Sequence, residues 1–271
     1  MRAIVLAFSL WGFAQGVAWA AATSTGITEP VSSVTLSMPV TGQVMELAVT
    51  EGSKVTRGDT LITLDRRIEA LDRESKRIAL EDRSALMELE QRVRILEHQV
   101  AKAKAVLGAG GVSQKQVQDE EIAWMTAQAQ LLALRETKRR EAIDLRLAEQ
   151  NYARRRLVAP ITGVVTRVNV AIGETVPPQE ALIVLVDTTQ IRFRGSFAID
   201  DPAHFHTGQA AMLRWTQNGQ TLERKAKVTY VAPVADPSSG LIEVIATADN
   251  RDHKLIPGAT AELTGLDQKT P

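Results

Sequence analysis

The sequence predicts an α+β multidomain chain: a β-sandwich assembled from two half-motifs, an inserted antiparallel α-helical coiled-coil hairpin between them, and a small β-barrel towards the C-terminal end. Three observations predict it. Residues 38 to 64 recur as residues 159 to 185 at a constant offset of 121, with no gap. The stretch between the copies is almost free of Gly and Pro, and short runs of β-patterned residues follow the second copy.

Taken in chain order, residues 1–20 place Arg2 before an apolar run and close on Ala18-Trp19-Ala20, the small-x-small pattern of a signal peptide. The run is nearly long enough to span a bilayer, so retention as an inner-membrane anchor is the alternative. Either way the remainder lies outside the cytosol. With no cysteine in the chain, a lipid anchor on Cys, a disulfide framework and thiolate chemistry are excluded. Lys plus Arg and Asp plus Glu number 32 each, which leaves no global field for nucleic acid or an anionic membrane surface. Aromatics at 4% and a middle third rich in Ala, Leu, Glu, Arg and Gln read as long helices.

The two half-motifs, residues 34–65 and 158–187, share one physical plan. Pro39 and Pro160 lead through Thr41 and Thr162 into Gly42 and Gly163, which open a turn. An alternating run (Val44, Leu47, Val49 in the first copy) then makes a half-buried strand. Gly52 and Gly173 follow as residues free to take positive φ, and a second short strand ends each copy at Leu64 and Leu185. A lone pair of strands is marginal in water. The copies therefore pack together as one small sandwich, with the intervening residues looped out.

MPVTGQVMELAVTEGSKVTRGDTLITLD and APITGVVTRVNVAIGETVPPQEALIVLV resemble the two halves of a biotinyl/lipoyl domain. In carrier domains such halves are joined by a tight hairpin that bears the modified Lys, and in periplasmic adaptor proteins by a long helical hairpin. The chain has the second arrangement, with Arg66-Arg67-Ile68 after Asp65 and no Lys on a short turn. It is identified as a member of the periplasmic adaptor, or membrane fusion protein, family: HlyD-like, of the RND-type efflux adaptors. The resemblance implies a biotinyl/lipoyl-like β-sandwich, no cofactor, and no enzymatic activity. It also implies an adaptor that links an inner-membrane transporter of RND or ABC type to a TolC-like outer-membrane channel, in the periplasm, as a homo-oligomeric ring.

Residues 66–157 form the helical hairpin. Each arm reads as one helix, the first from Arg66 to Leu107 and the second from about Gln114 to Val158. Leu86, Leu89, Val93, Leu96, Val100, Ala103 and Leu107 follow a heptad spacing, with Leu71, Ile78 and Ala85 as an earlier stripe in shifted phase. Val117, Trp124, Leu131, Leu145 and Tyr152, with Ala127, Leu134 and Ala148, form the returning seam, which Lys138 and Glu141 interrupt. Gly108-Ala109-Gly110-Gly111 stops the first arm, and Ser113 caps the second. Adaptors that dock on an outer-membrane channel carry an Arg-x3-Leu-x6-Ser pattern around this tip. Lys102, Val106 and Ser113 stand at that spacing, so the resemblance implies that they bind the channel. Ser113 matches outright, Lys102 keeps the charge without the bidentate fork of Arg, and Val106 keeps apolarity with less reach.

Residues 188–265 hold the β-patterned runs IRFRGSF, AAMLRWT, KAKVTYVA, LIEVIATA and ATAEL, with Asn218-Gly219 as a two-residue hairpin signal. Asp200-Asp201-Pro202 reads as the cap of one short helix. SFAIDDPAHFHTGQAAML and LIPGATAEL resemble the barrel domain of the same adaptors; residues 266–271 are a tail. The resemblance implies a compact adaptor without the membrane-proximal domain of larger members.

No catalytic constellation emerges elsewhere. His204 and His206 offer two imidazoles without a third ligand, so no metal site is expected; a periplasmic metal-binding accessory is the rival function, and a lipoyl or biotinyl carrier the enzyme-class rival. His98 and the pair Glu120-Glu121 lie on solvated helical faces. The Gly-rich tip lacks the Lys-Ser/Thr of a phosphate loop.

Overall fold

A computed structural model describes residues 23–108, 110–199, 205–217 and 219–266. Its elements in chain order are β1 (Thr23–Leu36), β2 (Gly42–Leu47), β3 (Lys54–Val55), β4 (Thr60–Leu64), α1 (Arg67–Glu81), α2 (Ser84–Leu107), α3 (Gln114–Ala153), β5 (Arg156–Val158), β6 (Gly163–Val168), β7 (Thr175–Val176), β8 (Ile183–Ala198), β9 (Ala210–Gln217), β10 (Gln220–Val231), β11 (Leu241–Asp249) and β12 (Thr260–Gly265). The signal segment, the cap at Asp200-Asp201-Pro202, His204 and Asn218 lie outside the described residues. The chain divides into two compact units, Thr35–Leu185 and the segments that run to Val34 and from Val186.

In the unit Thr35–Leu185 the repeat appears as a pseudo-twofold exchange of hydrogen bonds. Gly42 of β2 pairs with Val176 of β7, and at the same offset Gly163 of β6 pairs with Val55 of β3. The N–H of Gly52 donates to the carbonyl of Val165 and that of Gly173 to Val44, both at 2.8 Å. Within each half, Ala48 N–H donates to Leu61 O and, at the same offset, Asn169 N–H to Leu182 O. Each half thus completes the other's ladders, which is why neither needs to stand alone. Met38, Val44, Leu61, Ile62 and Leu64 from one copy and Val165, Leu182, Ile183 and Leu185 from the other are fully buried, and these form the core of a barrel-sandwich.

The tight turns of the two copies share their backbone as well as their sequence. Gly52 and Gly173 hold φ of 88° and 90°, the left-handed region where a side chain is disfavoured. A second matched turn was not legible in the residue identities: Gly58 has φ 99°, and its counterpart, Gln179, has φ 67°. Their N–H groups donate to equivalent acceptors, Ala159 O and Met38 O. Gly42 and Gly163 begin β2 and β6 and take no positive φ.

The hairpin departs from the expectation in three ways. Its outgoing arm is two helices, broken at Asp82 and Arg83, where the Asp82 carboxylate accepts from Ser84 N–H at 3.0 Å and Ser84 Oγ at 2.7 Å. These short polar side chains offer the backbone a turn in place of another helical bond. The returning helix ends at Ala153 rather than Val158, because Leu157 is drawn into the sandwich core and Arg156–Val158 adds a strand to β4. Leu71 and Ile78, expected in the seam, are 72% and 59% exposed, and Ala85 is exposed too. The α1 face towards α3 is instead polar, as the root described below requires. Beyond the break, the expected seam is the one observed: Leu86, Leu89, Val93, Leu96 and Ala103 are half-buried and Val100 buried, against buried Val117, Ala127 and Leu131 of α3. Leu107 is exposed at the end.

In the other unit, strands run in the order β1-β12-β9-β10-β11-β8, and β8 also pairs with β1, which closes a six-stranded barrel. Five strands answer to the five β-patterned runs. The sixth, β1, comes from a stretch to which the sequence reading assigns no element. Inward positions alternate along the strands, among them Ile191, Phe193, Leu213, Trp215, Val228 and Leu263. Asn250 is fully buried in the loop before β12, and its amide donates to Thr188 O and Leu255 O while its carbonyl accepts from Leu255 N–H. Among the described residues no helix is long and apolar enough to cross a membrane.

Candidate functional site

The hairpin ends in the part of the chain to which sequence assigns a contact. At the close of α2, Lys102 and Val106 stand four residues apart and so share one face of the helix. Both are exposed, Val106 by 43%. Gly108 ends the helix with a right-handed φ of −64°, and the reversal falls to Gly110 at φ 75°. Gly110 N–H donates to Leu107 O at 3.1 Å and Gly111 N–H to Val106 O at 3.2 Å, so the turn folds back on the last turn of α2.

Ser113 is extended (φ −84°, ψ 153°) and its Oγ accepts from Gln116 N–H at 3.2 Å, which caps α3. Ser113 is exposed, and its hydroxyl proton is not used in that bond. Lys104 Nζ meets Glu121 at 2.6 Å and ties the two arms just behind the turn. Lys102 and Val106 thus lie in the last two turns of one arm and Ser113 at the N-cap of the other, all three exposed.

The opposite end of the hairpin holds residues that sequence patterns alone did not single out. Arg155 donates to Thr41 O at 2.8 Å and pairs with Glu69 at 2.6 Å, so one guanidinium joins α1, the end of α3 and the turn into β2. A side chain at Gly42 would meet that guanidinium at 2.8 Å. Arg66 and Arg73 lie over the ring of Tyr152 at 4.6 and 4.1 Å, two cation–π contacts to one aromatic. Asp65 is held down to about 2 by hydrogen bonds from Arg67. The signal available in sequence was the crowd of Arg around Asp65 and Tyr152, which reads as a solvated face until the arms are folded together. Further out, Lys138 Nζ donates to Ala79 O at 2.7 Å and to Glu141 at 2.9 Å. The polar interruption of the returning seam thus faces the break in the outgoing arm.

Among the described residues no group of three or more His, Cys, Asp or Glu is placed to hold a metal. His206 lies on a turn where its N–H donates to Gln209.

A family model described as RND MFP, barrel-sandwich hybrid domain, matches residues 32–188. The chain is 26% identical over 255 residues to the nodulation protein NolF of Rhizobium meliloti, covering 90% of this chain and 63% of that protein. It is 22% identical over 273 residues to PvdR of Pseudomonas aeruginosa, a pyoverdine export membrane fusion protein, with coverage of 88% and 68%. The chain spans between 56% and 68% of the length of the curated relatives it matches. In fold it is similar to the crystal structure of MacA from Actinobacillus actinomycetemcomitans, with a TM-score of 0.71, 21% identity, and coverage of 91% of this chain and 79% of that one. With a barrel-sandwich split by a helical hairpin, and with more than half its length inside that family model, the chain belongs to the RND-type membrane fusion proteins.

Proposed function

We propose that this chain is the periplasmic adaptor subunit of an efflux or secretion system, joining an inner-membrane transporter of RND or ABC type to a TolC-like outer-membrane channel. The observation that carries the reading is a hairpin whose 40-residue returning helix, roughly 60 Å long at 1.5 Å per residue, ends in a capped, exposed tip. A spacer of that length with polar flanks does no chemistry of its own, and its value lies in what its end reaches. The export role in the name of PvdR supports the same reading.

In this reading Lys102, Val106 and Ser113 contact the channel. The two half-motifs act as a biotinyl/lipoyl-like sandwich without a swinging-arm cofactor, and the hairpin as an antiparallel coiled coil. The working parts are a signal peptide to residue 20, half-motifs at 34–65 and 158–187, a hairpin within 66–157 whose last residues, from Arg156, join the sandwich, and a barrel at 188–265 completed by β1. Copies associate side by side in a ring on the periplasmic face, the barrel serves the transporter contact, and transport energy comes from that transporter. The adaptor itself is not an enzyme.

The test is photocrosslinking in cells from position 113. Capture of an outer-membrane channel is expected. Capture of inner-membrane proteins alone would sink the docking reading.

A further inference from the structure

Gly110 and Gly111 of the tip are needed for different reasons. Gly110 has φ 75°, a conformation that any side chain resists. Gly111 lies outside that region, so its backbone demands no glycine. Space demands it instead. A Cβ built on Gly111 would lie 2.5 Å from Val106 Cγ1, well inside van der Waals contact. Val106 cannot swing clear cheaply, since a β-branched side chain in a helix keeps essentially one χ1 rotamer. Nor can the turn back away freely, because Gly111 N–H is bonded to the Val106 carbonyl.

From this contact we infer that Gly111 is a positioning residue of the docking tip: its missing side chain leaves the notch that seats Val106 beside Lys102 and Ser113. The inference rests on the docking reading above and adds the partner chemistry the tip fits. That partner offers an apolar socket wide enough for one isopropyl group, with oxygen acceptors near it for the Lys102 ammonium and the Ser113 hydroxyl.

The test uses the full chain with Gly111→Ala, Val106→Ala and the double variant, read in two ways. In amide hydrogen exchange on the purified protein, Gly111→Ala should speed exchange at position 111 and at Gln116 by about tenfold or more, the size expected when one extra methyl is forced into a filled contact. The double variant should exchange like Val106→Ala alone, because the smaller side chain vacates the space. Fast exchange that persists in the double variant would overturn the steric coupling. In cells, with the photocrosslinker at Gln114, Gly111→Ala should lose most of the channel capture seen with the parent chain, and the double variant should capture no less than Val106→Ala. Full capture by Gly111→Ala overturns the positioning role. If the parent chain captures no channel, the docking reading fails, and the exchange data still decide whether Gly111 seats Val106.

Discussion

Gln179 shows how a repeat exposes strain that a single turn would hide. Its φ of 67° places a side chain in the left-handed region, while the matching position of the first copy, Gly58, has the residue that region favours. Both N–H groups make the same bond to the other half, so the second copy keeps the backbone and bears the cost. Gln179→Gly should therefore stabilise the unit by up to ~1 kcal/mol, offset in part by the greater freedom of glycine in the unfolded chain. A shift of the urea midpoint to higher concentration checks it; a shift to lower concentration would mean that Gln179 makes contacts worth more than its strain. The same lesson holds at Lys138. Sequence marks it as a flaw in the heptads, yet its ammonium finds the Ala79 carbonyl left over where α1 stops. Lys102, Val106 and Ser113 are named by the family resemblance, at the spacing of its tip pattern. The part of Gly111 could not be named that way, because a clash with a side chain five residues back depends on how the turn closes.

Among the barrel strands, β1 was the one sequence reasoning missed, and its residues say why. Its inward positions include Ser24 and Thr28, both about 1% exposed, so the apolar alternation that betrays a half-buried strand is absent. Their hydroxyls are satisfied by Ser196 O at 2.8 Å and Ala259 O at 2.9 Å, which is what lets polar groups line the inside. Small residues then bring β1 against β8. A Cβ on Gly26 would collide with the Arg194 carbonyl, and one on Gly195 would meet Ser24 Oγ at 2.6 Å. Since the obstacle at Gly26 is backbone, it cannot rotate away. Gly26→Ala should cost about 3 kcal/mol or more, at the upper end of overpacking penalties, and be seen as a lower denaturant midpoint. An unchanged midpoint would show that β1 does not close the barrel in solution. The helices were easier to anticipate because heptads repeat locally. Where α1 meets α3 through Arg155, Glu69 and Tyr152, the packing is polar and periodicity pointed to the wrong face, that of Leu71 and Ile78.

For the molecule as a whole, the reciprocal bonds between the half-motifs involve no residue of the helices. Leu64 N–H donates to Arg155 O at 2.9 Å, so the two ends of the hairpin emerge side by side from the sandwich. Replacing residues 67–154 by a turn of about four residues should leave the remaining chain folded, since that lies within the usual span for joining adjacent antiparallel strands. Circular dichroism with a cooperative thermal transition would check this. Loss of cooperativity would mean that Arg155–Glu69 and the Tyr152 contacts hold the sandwich together rather than only fixing the hairpin to it.

By itself the sequence determined the repeat, the insertion between its halves, the capped tip and five of the barrel's strands. These follow from signals carried within a few residues or, for the repeat, by direct comparison of two segments. Tertiary structure alone decided the strand Arg156–Val158, the sixth barrel strand from residues 23 onward, and the steric pairing of Gly111 with Val106. In each case the deciding partner is a group from elsewhere in the chain brought close by folding, and no local pattern of hydrophobicity records where such a partner will stand.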